Sequence, residues 1–504
     1  MAFIEQLAAM EGENVTLRGW VANKRSSKGL VFIILRDGTG RCQCVADASA
    51  ISAETFDLAG QLTQESSIEV SGLVLQDERQ EGGFELRIND LKIYQLAREY
   101  PISKKAHGIE FLMDNRHLWL RSSRQWAIMR IRNCIIHAIH QFFQERGFIH
   151  MDSPVFTGNA AEGTTTLFET DFYDEKAYLA QTGQLYGEAM AMAMGRIYTF
   201  GPTFRAEKSK TRRHLSEFWM IEPEIAFCDL DMCLDVIEEF LRSVVHAVVE
   251  RCPDELAILE RDTEKLKNIG KPFPRITYSD AVKIIRGEKD VNGRNSILTL
   301  ENDLAGINQR IVDLNTEIEE REAKIKAPGI KKGEINFNLN KVAALKNELK
   351  DLEESAKNIP QWLASAKTFE HGNDFGGSDE TVLTRLFDTP IMVYNWPAGI
   401  KAFYMKRATD PDFVKGVDVL APEGYGEIVG GSEREENLDL LIERIQAEGL
   451  PMEAFEWYLD LRRYGSVPHS GFGLGLERLV AWICKLPHVR ETIPFPRMYG
   501  RLFP

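Results

Sequence analysis

Residues Tyr198 to Phe227, YTFGPTFRAEKSKTRRHLSEFWMIEPEIAF, carry the strongest structural pattern in the chain. Aromatic residues come first, a basic turn spans Lys208 to His214, and carboxylates then alternate with apolar side chains. A period of two predicts a β-hairpin in which Arg205 and Glu207 share a face of the first strand. It could bind an anion, a base, an amine or a metal, or be a surface hairpin with a charged tip. On the second strand one face would hold Phe218, Met220, Glu222 and Glu224.

The composition of the whole chain is that of a globular protein. Its 504 residues are 44% hydrophobic and 27% charged, and at roughly 150 residues per domain they predict two to four domains. No apolar run approaches the roughly 20 residues that cross a bilayer, and the first residues lack the pattern of a secretory signal. Seven scattered cysteines without a CxxC pair indicate reduced thiols and a cytoplasmic protein. The net charge of −15 argues against nonspecific binding to DNA, but not against a specific nucleic-acid site.

Residues 1–98 are predicted to form a small Greek-key β-barrel of the OB type. Alternating strand patterns lie between Val15 and Asp47 and again at 67–75 and 83–94, with a helical stretch at 50–64. Six basic residues and one acidic residue lie between Arg18 and Arg41. With Phe32 beside them, they suit single-stranded nucleic acid, although Phe32 could equally be a core residue.

A second domain is predicted from residue 123 to residue 504, after a hinge at 99–122. Apolar residues recur at helical spacing from Arg121 to Arg146, Gly147 ends the helix, and FIHMDSPVF forms a short strand that Pro154 ends. The helix carries more than one apolar face. We therefore predict a subunit interface and a homodimer, with burial inside a large domain as the alternative.

Three motifs of this second domain resemble, in order, the signature motifs of the class II aminoacyl-tRNA synthetases. FRAE followed by RHLSEF resembles the second motif, the proline-ended strand resembles the first, and GFGLGLERL at Gly471 to Leu479 resembles the third. The barrel ahead of them is typical of the aspartyl, asparaginyl and lysyl subgroup, and in detail the chain resembles its asparaginyl members. The glycine run is not a dinucleotide fingerprint, because no βαβ pattern surrounds it. An α+β fold is implied, with an antiparallel catalytic sheet flanked by helices.

The resemblance implies that the chain joins an amino acid to ATP as an adenylate and then transfers the acyl group to tRNA. Arg205 would bridge the amino-acid carboxylate and the α-phosphate, Phe218 would stack on the adenine, and Arg478 would cover its other face and reach the γ-phosphate. Arg205 and Arg478 are thus the expected catalytic residues, and no acid–base residue is required. The expected ATP site comprises Arg205, Glu207, His214, Leu215, Phe218, Glu427, Ile428, Gly475 and Arg478.

A magnesium site is implied in the segment DVLAPEGYGEIVGGSERE. Asp418 and Glu427 supply hard oxygen ligands of the kind that hold Mg²⁺ against phosphates. Gly430 and Gly431 permit close approach of the backbone to a ligand. Without the resemblance, a glycine pair flanked by acids is more often an ordinary turn.

L-Asparagine is the expected amino-acid substrate. Aspartyl members carry a lysine where this chain has Gly187, and the adjacent Glu188 would accept a hydrogen bond from a substrate amide and repel aspartate. Arg434 would reach the side-chain carbonyl, which also disfavours lysine. Glu162 and Gln184 would bind the α-amino group. The expected amino-acid site comprises Glu162, Gln184, Glu188, Arg205, Arg434 and His469.

In the barrel, four residues match positions by which aspartyl and asparaginyl members read their anticodons: Arg25, Phe32, Gln43 and Glu85. Phe32 would stack on the central uridine, so tRNA(Asn) is the expected partner. Two alternatives remain. A paralogue that makes asparagine from aspartate without tRNA would lack the barrel, and a noncatalytic tRNA-binding protein would have lost Arg205 or Arg478.

Residues 289–370 have no counterpart in the resemblance. Apolar residues from Leu300 to Ile325, and again from Leu339 to Leu352, are spaced by threes and fours, and a Pro/Gly-containing segment separates the two runs. The pattern predicts an antiparallel coiled-coil hairpin inserted in the second domain. A contact to tRNA, a brace on a partner subunit and a surface addition without function are all compatible with it.

Overall fold

The computed structural model describes residues 2–103, 105, 107–158 and 167–504. The chain divides into two compact units, residues 1–122 together with Pro504, and residues 123–503. The segment 99–122, which we predicted to be a hinge, belongs to the first unit. It contains two short helices, α2 (Ile109–Asp114) and α3 (Arg116–Trp119).

The first unit is built on a closed barrel of five strands, as the alternation predicted. The order around the barrel is β1-β2-β3-β5-β4, and α1 (Ala53–Gln61) begins at Ser52, whose side chain accepts a hydrogen bond from the Thr55 backbone N–H. Val31, Ile33 and Leu35 alternate into the barrel interior, where they are fully buried or nearly so. The strands are β1 (Asn14–Ser27), β2 (Leu30–Arg36), β3 (Arg41–Asp47), β4 (Ser67–Gln76) and β5 (Phe84–Gln95).

The second unit is organised around an eight-stranded sheet with the order β12-β13-β14-β15-β16-β11-β10-β6. The strands from β13 to β10 pair antiparallel, while β12 and β6 at the two edges pair parallel. The strands are β6 (Ile149–Met151), β10 (Arg196–Phe204), β11 (Glu217–Ala226), β12 (Arg275–Thr277), β13 (Ile391–Pro397), β14 (Phe413–Ala421), β15 (Gly426–Glu433) and β16 (His469–Gly475). A smaller sheet has the order β7-β9-β8 and consists of β7 (Phe156–Thr157), β8 (Glu169–Phe172) and β9 (Glu175–Leu179).

One face of the large sheet is covered by α4, α6 and α15, which form the main hydrophobic core with it. Ile128 of α4, Phe240 of α6 and Leu479 of α15 lie in this core beside strand residues such as Val419 and Leu474. The predicted helix after residue 121 is confirmed, with bounds Ser123–Glu145. The helices are α4 (Ser123–Glu145), α5 (Gln184–Met194), α6 (Leu230–Arg251), α7 (Pro253–Ile258), α8 (Thr263–Lys267), α9 (Tyr278–Ile285), α12 (Gly377–Thr384), α13 (Leu438–Ala447), α14 (Met452–Arg463) and α15 (Leu476–Ile483).

The hairpin predicted at Tyr198 to Phe227 is formed by β10 and β11, which pair from Arg196↔Ile225 to Phe204↔Glu217. The first strand ends at Phe204, so Arg205 and Glu207 lie beyond it rather than on it. One further backbone hydrogen bond, from Arg205 N–H to Ser216 C=O at 3.0 Å, extends the pairing into the loop. The loop therefore begins three residues earlier than the basic turn that the sequence indicated.

The predicted helical hairpin is also present, as α10 (Ser296–Ile325) and α11 (Lys332–Thr368). Its base packs on a core around Tyr278 and Trp396 through residues such as Leu300 and Ile359. Its distal half has a separate small core of Leu314, Ile318, Val342 and Leu345. Among the described residues, no helix is long and apolar enough to span a membrane.

Candidate active site

The face of the large sheet opposite the main core carries polar strand residues that line two cavities. Strand alternation explains the division: Val417 and Val419 of β14 point into the core, whereas Asp418 lines a cavity. Likewise Phe472 and Leu474 of β16 are core residues, and the glycines between and before them leave room on the opposite face. The carboxylates of β11, at positions 222 and 224, lie on this open face, as their period of two predicted.

All nine residues expected to bind ATP line one cavity of about 100 Å³. Phe218 forms part of its wall together with Arg478, whose guanidinium donates to the Glu427 backbone carbonyl at 3.0 Å and to its carboxylate at 2.9 Å. The Arg205 guanidinium carbon lies 5.6 Å from the Phe218 ring centre. A flat aromatic side chain in a cavity that is also lined by the guanidinium groups of Arg205 and Arg478 suits a base that carries phosphates.

His214 lies at the rim of this cavity, 3.5 Å from the Glu207 carboxylate. Burial, and then the nearby Arg478, lower the pKa of His214 below its usual value. A neutral imidazole can donate one hydrogen bond to a phosphate oxygen without adding charge.

A larger cavity of about 390 Å³ adjoins the first, and Arg205, Met220, Glu427, Gly430 and Gly473 line both. One wall contains a buried ion pair between Glu224 of β11 and Arg434, which directly follows β15. Arg434 donates through Nη2 to Glu224 at 2.5 Å and through Nε at 3.3 Å, and its Nη1 donates to Ser432 Oγ at 2.8 Å. Both side chains are almost fully buried, at 3% and 0% exposure.

The Glu224 carboxylate occupies space that a side chain at position 471 would fill, and residue 471 is a glycine. A Cβ at Gly471 would lie 2.2 Å from Glu224 Oε1, far inside van der Waals contact. Burial raises the pKa of Glu224 to about 7, against the opposing charge of Arg434. The wall therefore offers both an acceptor and a bidentate donor, which are the two groups that complement a primary amide.

Of the residues expected to bind the amino acid, Gln184, Arg205 and Arg434 line this cavity. Glu188 and His469 do not line it, and their side chains bond to each other at 3.0 Å. The structure thus gives Glu188 no contact with the cavity, whereas Glu224, paired with Arg434, is one of the buried carboxylates that line it. Glu162 lies outside the described residues.

Asp418 and Glu427, the two carboxylates expected to hold magnesium, both lie beside Gly430. A Cβ at Gly430 would lie 3.1 Å from Glu427 Oε1 and 3.7 Å from Asp418 Oδ1. Asp418 also accepts a hydrogen bond from Lys401 Nζ at 2.6 Å. Burial raises the pKa of Asp418 to about 6, with Lys401 opposing and Glu427 reinforcing the effect. No group of three or more His, Cys, Asp or Glu side chains within the described ranges is arranged to hold a metal, so an ion here would need phosphate oxygens and water to complete its shell.

In the first unit, the four residues expected to read the anticodon share one face of the barrel wall. Arg25 pairs with Phe32 across β1 and β2, and its guanidinium carbon lies 4.6 Å from the ring centre. Gln43 pairs with Glu85 across β3 and β5 and donates from Nε2 to its carboxylate at 3.1 Å. Phe32 is half-buried and on the face opposite the barrel interior, so it is a surface platform rather than a core residue.

Sequence reasoning missed the roles of Glu224 and Lys401 on the cavity walls. Glu224 was visible as one of the carboxylates with a period of two, but its ion pair with Arg434 joins residues 210 positions apart. Lys401 directly follows the 3₁₀ turn Ala398–Ile400 after β13, with no motif around it. Neither partner could be identified without the sheet order.

Comparison with known proteins agrees with this architecture. The family model described as tRNA synthetases class II (D, K and N) matches residues 108–499, and the model described as OB-fold nucleic acid binding domain matches residues 15–94. The chain belongs to the class II tRNA synthetases of the D, K and N group. The expected fold, an OB barrel followed by a class II catalytic domain, is confirmed.

Within this family, the chain is similar to proteins named asparagine–tRNA ligase. One from Sorangium cellulosum is 50% identical over 500 residues, covering 99% of this chain and 98% of its own length. Another from Symbiobacterium thermophilum is 48% identical over 503 residues, covering 99% of both. The crystal structure of asparaginyl-tRNA synthetase from Pyrococcus horikoshii complexed with asparaginyl-adenylate matches with a TM-score of 0.82 and 36% identity, over 100% of this chain and 99% of that one.

Proposed function

We propose that this chain is an asparagine–tRNA ligase, which activates L-asparagine with ATP to asparaginyl-adenylate and transfers the asparaginyl group to tRNA(Asn). The observation that carries the substrate assignment is the buried Glu224–Arg434 pair on the wall of the larger cavity. The Glu224 carboxylate can accept from the substrate NH₂ group, and the Arg434 guanidinium can donate to its carbonyl oxygen. Aspartate would place a second carboxylate against Glu224, which is unfavourable in a buried site.

We assign adenylate formation to positioning and charge neutralisation. Arg205 lines both cavities, so it can contact the amino-acid carboxylate and the α-phosphate at once and hold them in the geometry of attack. Phe218 and Arg478 would hold the adenine between them, and His214 with Glu207 would contact the ATP at the mouth of the smaller cavity. The attacking carboxylate is already ionised at neutral pH, so no general base is needed.

The residues around Gly430 fit a magnesium ion shared with ATP. Asp418 and Glu427 are hard oxygen ligands, and they leave most of the coordination shell to phosphate oxygens and water. A bound ion would neutralise phosphate charge during nucleotidyl transfer. Lys401, which pairs with Asp418, can hold the carboxylate in place before ATP binds.

We propose that the first unit binds the anticodon of tRNA(Asn) through the face that carries Arg25, Phe32, Gln43 and Glu85. The Arg25 guanidinium over the Phe32 ring supports this role, because aromatic rings and cations together bind unpaired bases. The bond from Gln43 to Glu85 fixes an amide and a carboxylate that can read base edges.

We further propose a cytoplasmic homodimer. The edge strand β6 and the small sheet expose apolar side chains: Ile149 is 47%, Phe156 50% and Phe172 43% exposed. The Phe156 and Phe172 rings lie with their centres 5.6 Å apart, and exposed apolar residues of this kind are typical of an interface between copies. The cysteines are all free thiols in the part of the chain described, which suits a reducing compartment.

Pyrophosphate exchange and tRNA charging, each with asparagine, aspartate and lysine, test the function. Asparagine should support both reactions, and aspartate and lysine neither. Aspartate-dependent exchange without asparagine-dependent exchange would contradict the substrate assignment. Exchange without charging of any tRNA would instead favour a paralogue that acts without tRNA.

A further inference from the structure

Glu188 lies behind the amino-acid cavity, and every side chain that bonds to its carboxylate does so as a hydrogen-bond donor. It accepts from Arg462 Nη2 at 2.8 Å, from the Tyr458 hydroxyl at 2.8 Å and from His469 Nε2 at 3.0 Å. Arg462 in turn donates through Nε to the Glu435 backbone carbonyl at 2.8 Å. A carboxylate removed from water in this way is stable only when its oxygens are fully bonded, and here each oxygen has at least two donors.

The fourth donor to Glu188 belongs to the cavity wall. Gln184 lies one helical turn earlier on α5, and its Nε2 donates to Glu188 Oε1 at 3.1 Å. An ionised carboxylate has no hydrogen to donate, so it can face only the NH₂ end of the Gln184 amide. Burial alone would raise the pKa of Glu188, but Arg462 and then His469 hold it well below the usual value. The carboxylate is therefore ionised at neutral pH, and its bond to Gln184 fixes the orientation of that amide.

The opposite end of the same amide is available to a ligand. Gln184 lines the larger cavity, and no donor in the described part of the chain bonds to its Oε1. A carbonyl oxygen accepts from an ammonium group, whereas an amide NH₂ in its place would repel one. The direction of this one amide thus decides whether the site attracts or repels a cation.

We propose that Glu188 is a positioning residue that acts through Gln184: by holding the NH₂ end of its amide, it keeps the carbonyl oxygen directed at the α-ammonium group of the amino-acid substrate. The inference rests on the proposed function and on the expectation from the family resemblance that Gln184 contacts that ammonium group. It replaces the expectation that Glu188 contacts the substrate amide itself.

Substitution by glutamine tests the inference, because Glu188→Gln keeps the size of the side chain and replaces one acceptor by a donor, although it also removes the charge paired with Arg462. Arg462 and His469 both donate to one oxygen of Glu188, so the new carbonyl would stay there. The new NH₂ group would then face Gln184, whose amide must turn its carbonyl inward and present NH₂ to the cavity.

The readout compares asparagine with succinamate, which has the same side-chain amide and carboxylate but no α-amino group. For Glu188→Gln, the dissociation constant of asparagine should rise about tenfold or more, the size of one hydrogen bond to a charged group, while that of succinamate and the KM for ATP stay within about twofold. Gln184→Met should show the same selective loss, and the double variant should lose no more than either single variant. Glu255→Gln is the matched control, because Glu255 is also buried and paired with an arginine, Arg130, at 2.6 Å. It should leave both ligands unchanged.

If Glu188→Gln does not fold, the variant Glu188→Asp tests the same inference. Glu188→Asp retains the charge for Arg462 but withdraws the acceptor from Gln184, so a smaller loss confined to asparagine is expected. Equal weakening of asparagine and succinamate by either variant would show that Glu188 only supports packing, and unchanged asparagine binding would show that the carboxylate is not needed. Failure of the wild-type protein to bind asparagine would instead refute the proposed function.

Discussion

In the proposed function the choice of amino acid depends on the Glu224 carboxylate of the Glu224–Arg434 pair, and Glu224→Gln removes its charge while keeping its size. The hydrogen bond from the substrate amide to a charged acceptor contributes about 1.5–3 kcal/mol. The value of kcat/KM for asparagine should therefore fall about 10- to 150-fold. Aspartate should gain, because a like-charge contact near 4 Å costs about 4 kcal/mol at an effective dielectric constant of about 20, and the substitution relieves it.

Pyrophosphate exchange with each amino acid at saturating ATP measures both effects, and the ratio of the two kcat/KM values is the result that matters. Glu433→Gln is a suitable control: Glu433 is buried on β15, separated from β11 by β16, and bonded to Lys406 and Lys415, but it does not line the amino-acid cavity. It should lower stability without changing the ratio. If Glu224→Gln leaves the asparagine-to-aspartate ratio within about twofold of wild type, the pair does not read the amide.

Three further outcomes follow from the same structure. The preference for asparagine over aspartate, measured as kcat/KM for exchange in the wild-type enzyme, should decline from pH 8 to pH 6. The pKa of Glu224 is raised to about 7, so below that pH the protonated acid can donate to an aspartate carboxylate; a ratio independent of pH would contradict this. Phe32→Ala should raise the KM for tRNA in charging about tenfold, the loss of one stacked base, with exchange unchanged, and equal loss of both activities would exclude an anticodon role. Replacing residues 313–346 with a short turn should leave exchange within about twofold, because the distal core around Leu314 belongs to the hairpin alone; loss of exchange would show that the distal hairpin supports the catalytic site.

Local patterns predicted much of the fold because each depends on neighbours in sequence. The β10–β11 hairpin, the long helix α4 and the helical hairpin all follow from periods of two or of three to four residues. Their ends were less accurate, since Arg205 lies beyond the strand on which we expected it. Helix α11 also continues through Pro360 to Thr368, because its last turns pack against the core around Trp396 and this packing outweighs the lost backbone hydrogen bond.

The residues expected to bind ATP were predictable as a set because they lie in the second and third signature motifs and in the segment that contains Glu427, which meet on the adjacent strands β11, β16 and β15. Phe218 is on β11, Gly475 ends β16, and Arg478 is in the first turn of α15, so one sheet face brings them to the same cavity. The roles of Glu188 and Glu224 were harder to separate. Both are acids near the same site, and only the structure shows that Tyr458 and Arg462, about 270 residues further along, enclose the first and leave the second open.

The different surroundings of Glu188 and Glu224 explain how two buried carboxylates near one site can have different roles. Glu188 has its charge compensated by Arg462 and is also hydrogen-bonded to His469, so it is an inert acceptor that fixes the direction of an amide. Glu224 has one guanidinium partner, and that partner also lines the cavity, so both members of the pair keep hydrogen-bonding capacity for a ligand. Selectivity for a neutral amide over a carboxylate then depends less on the number of charges around the cavity than on which of them are already fully bonded within the protein.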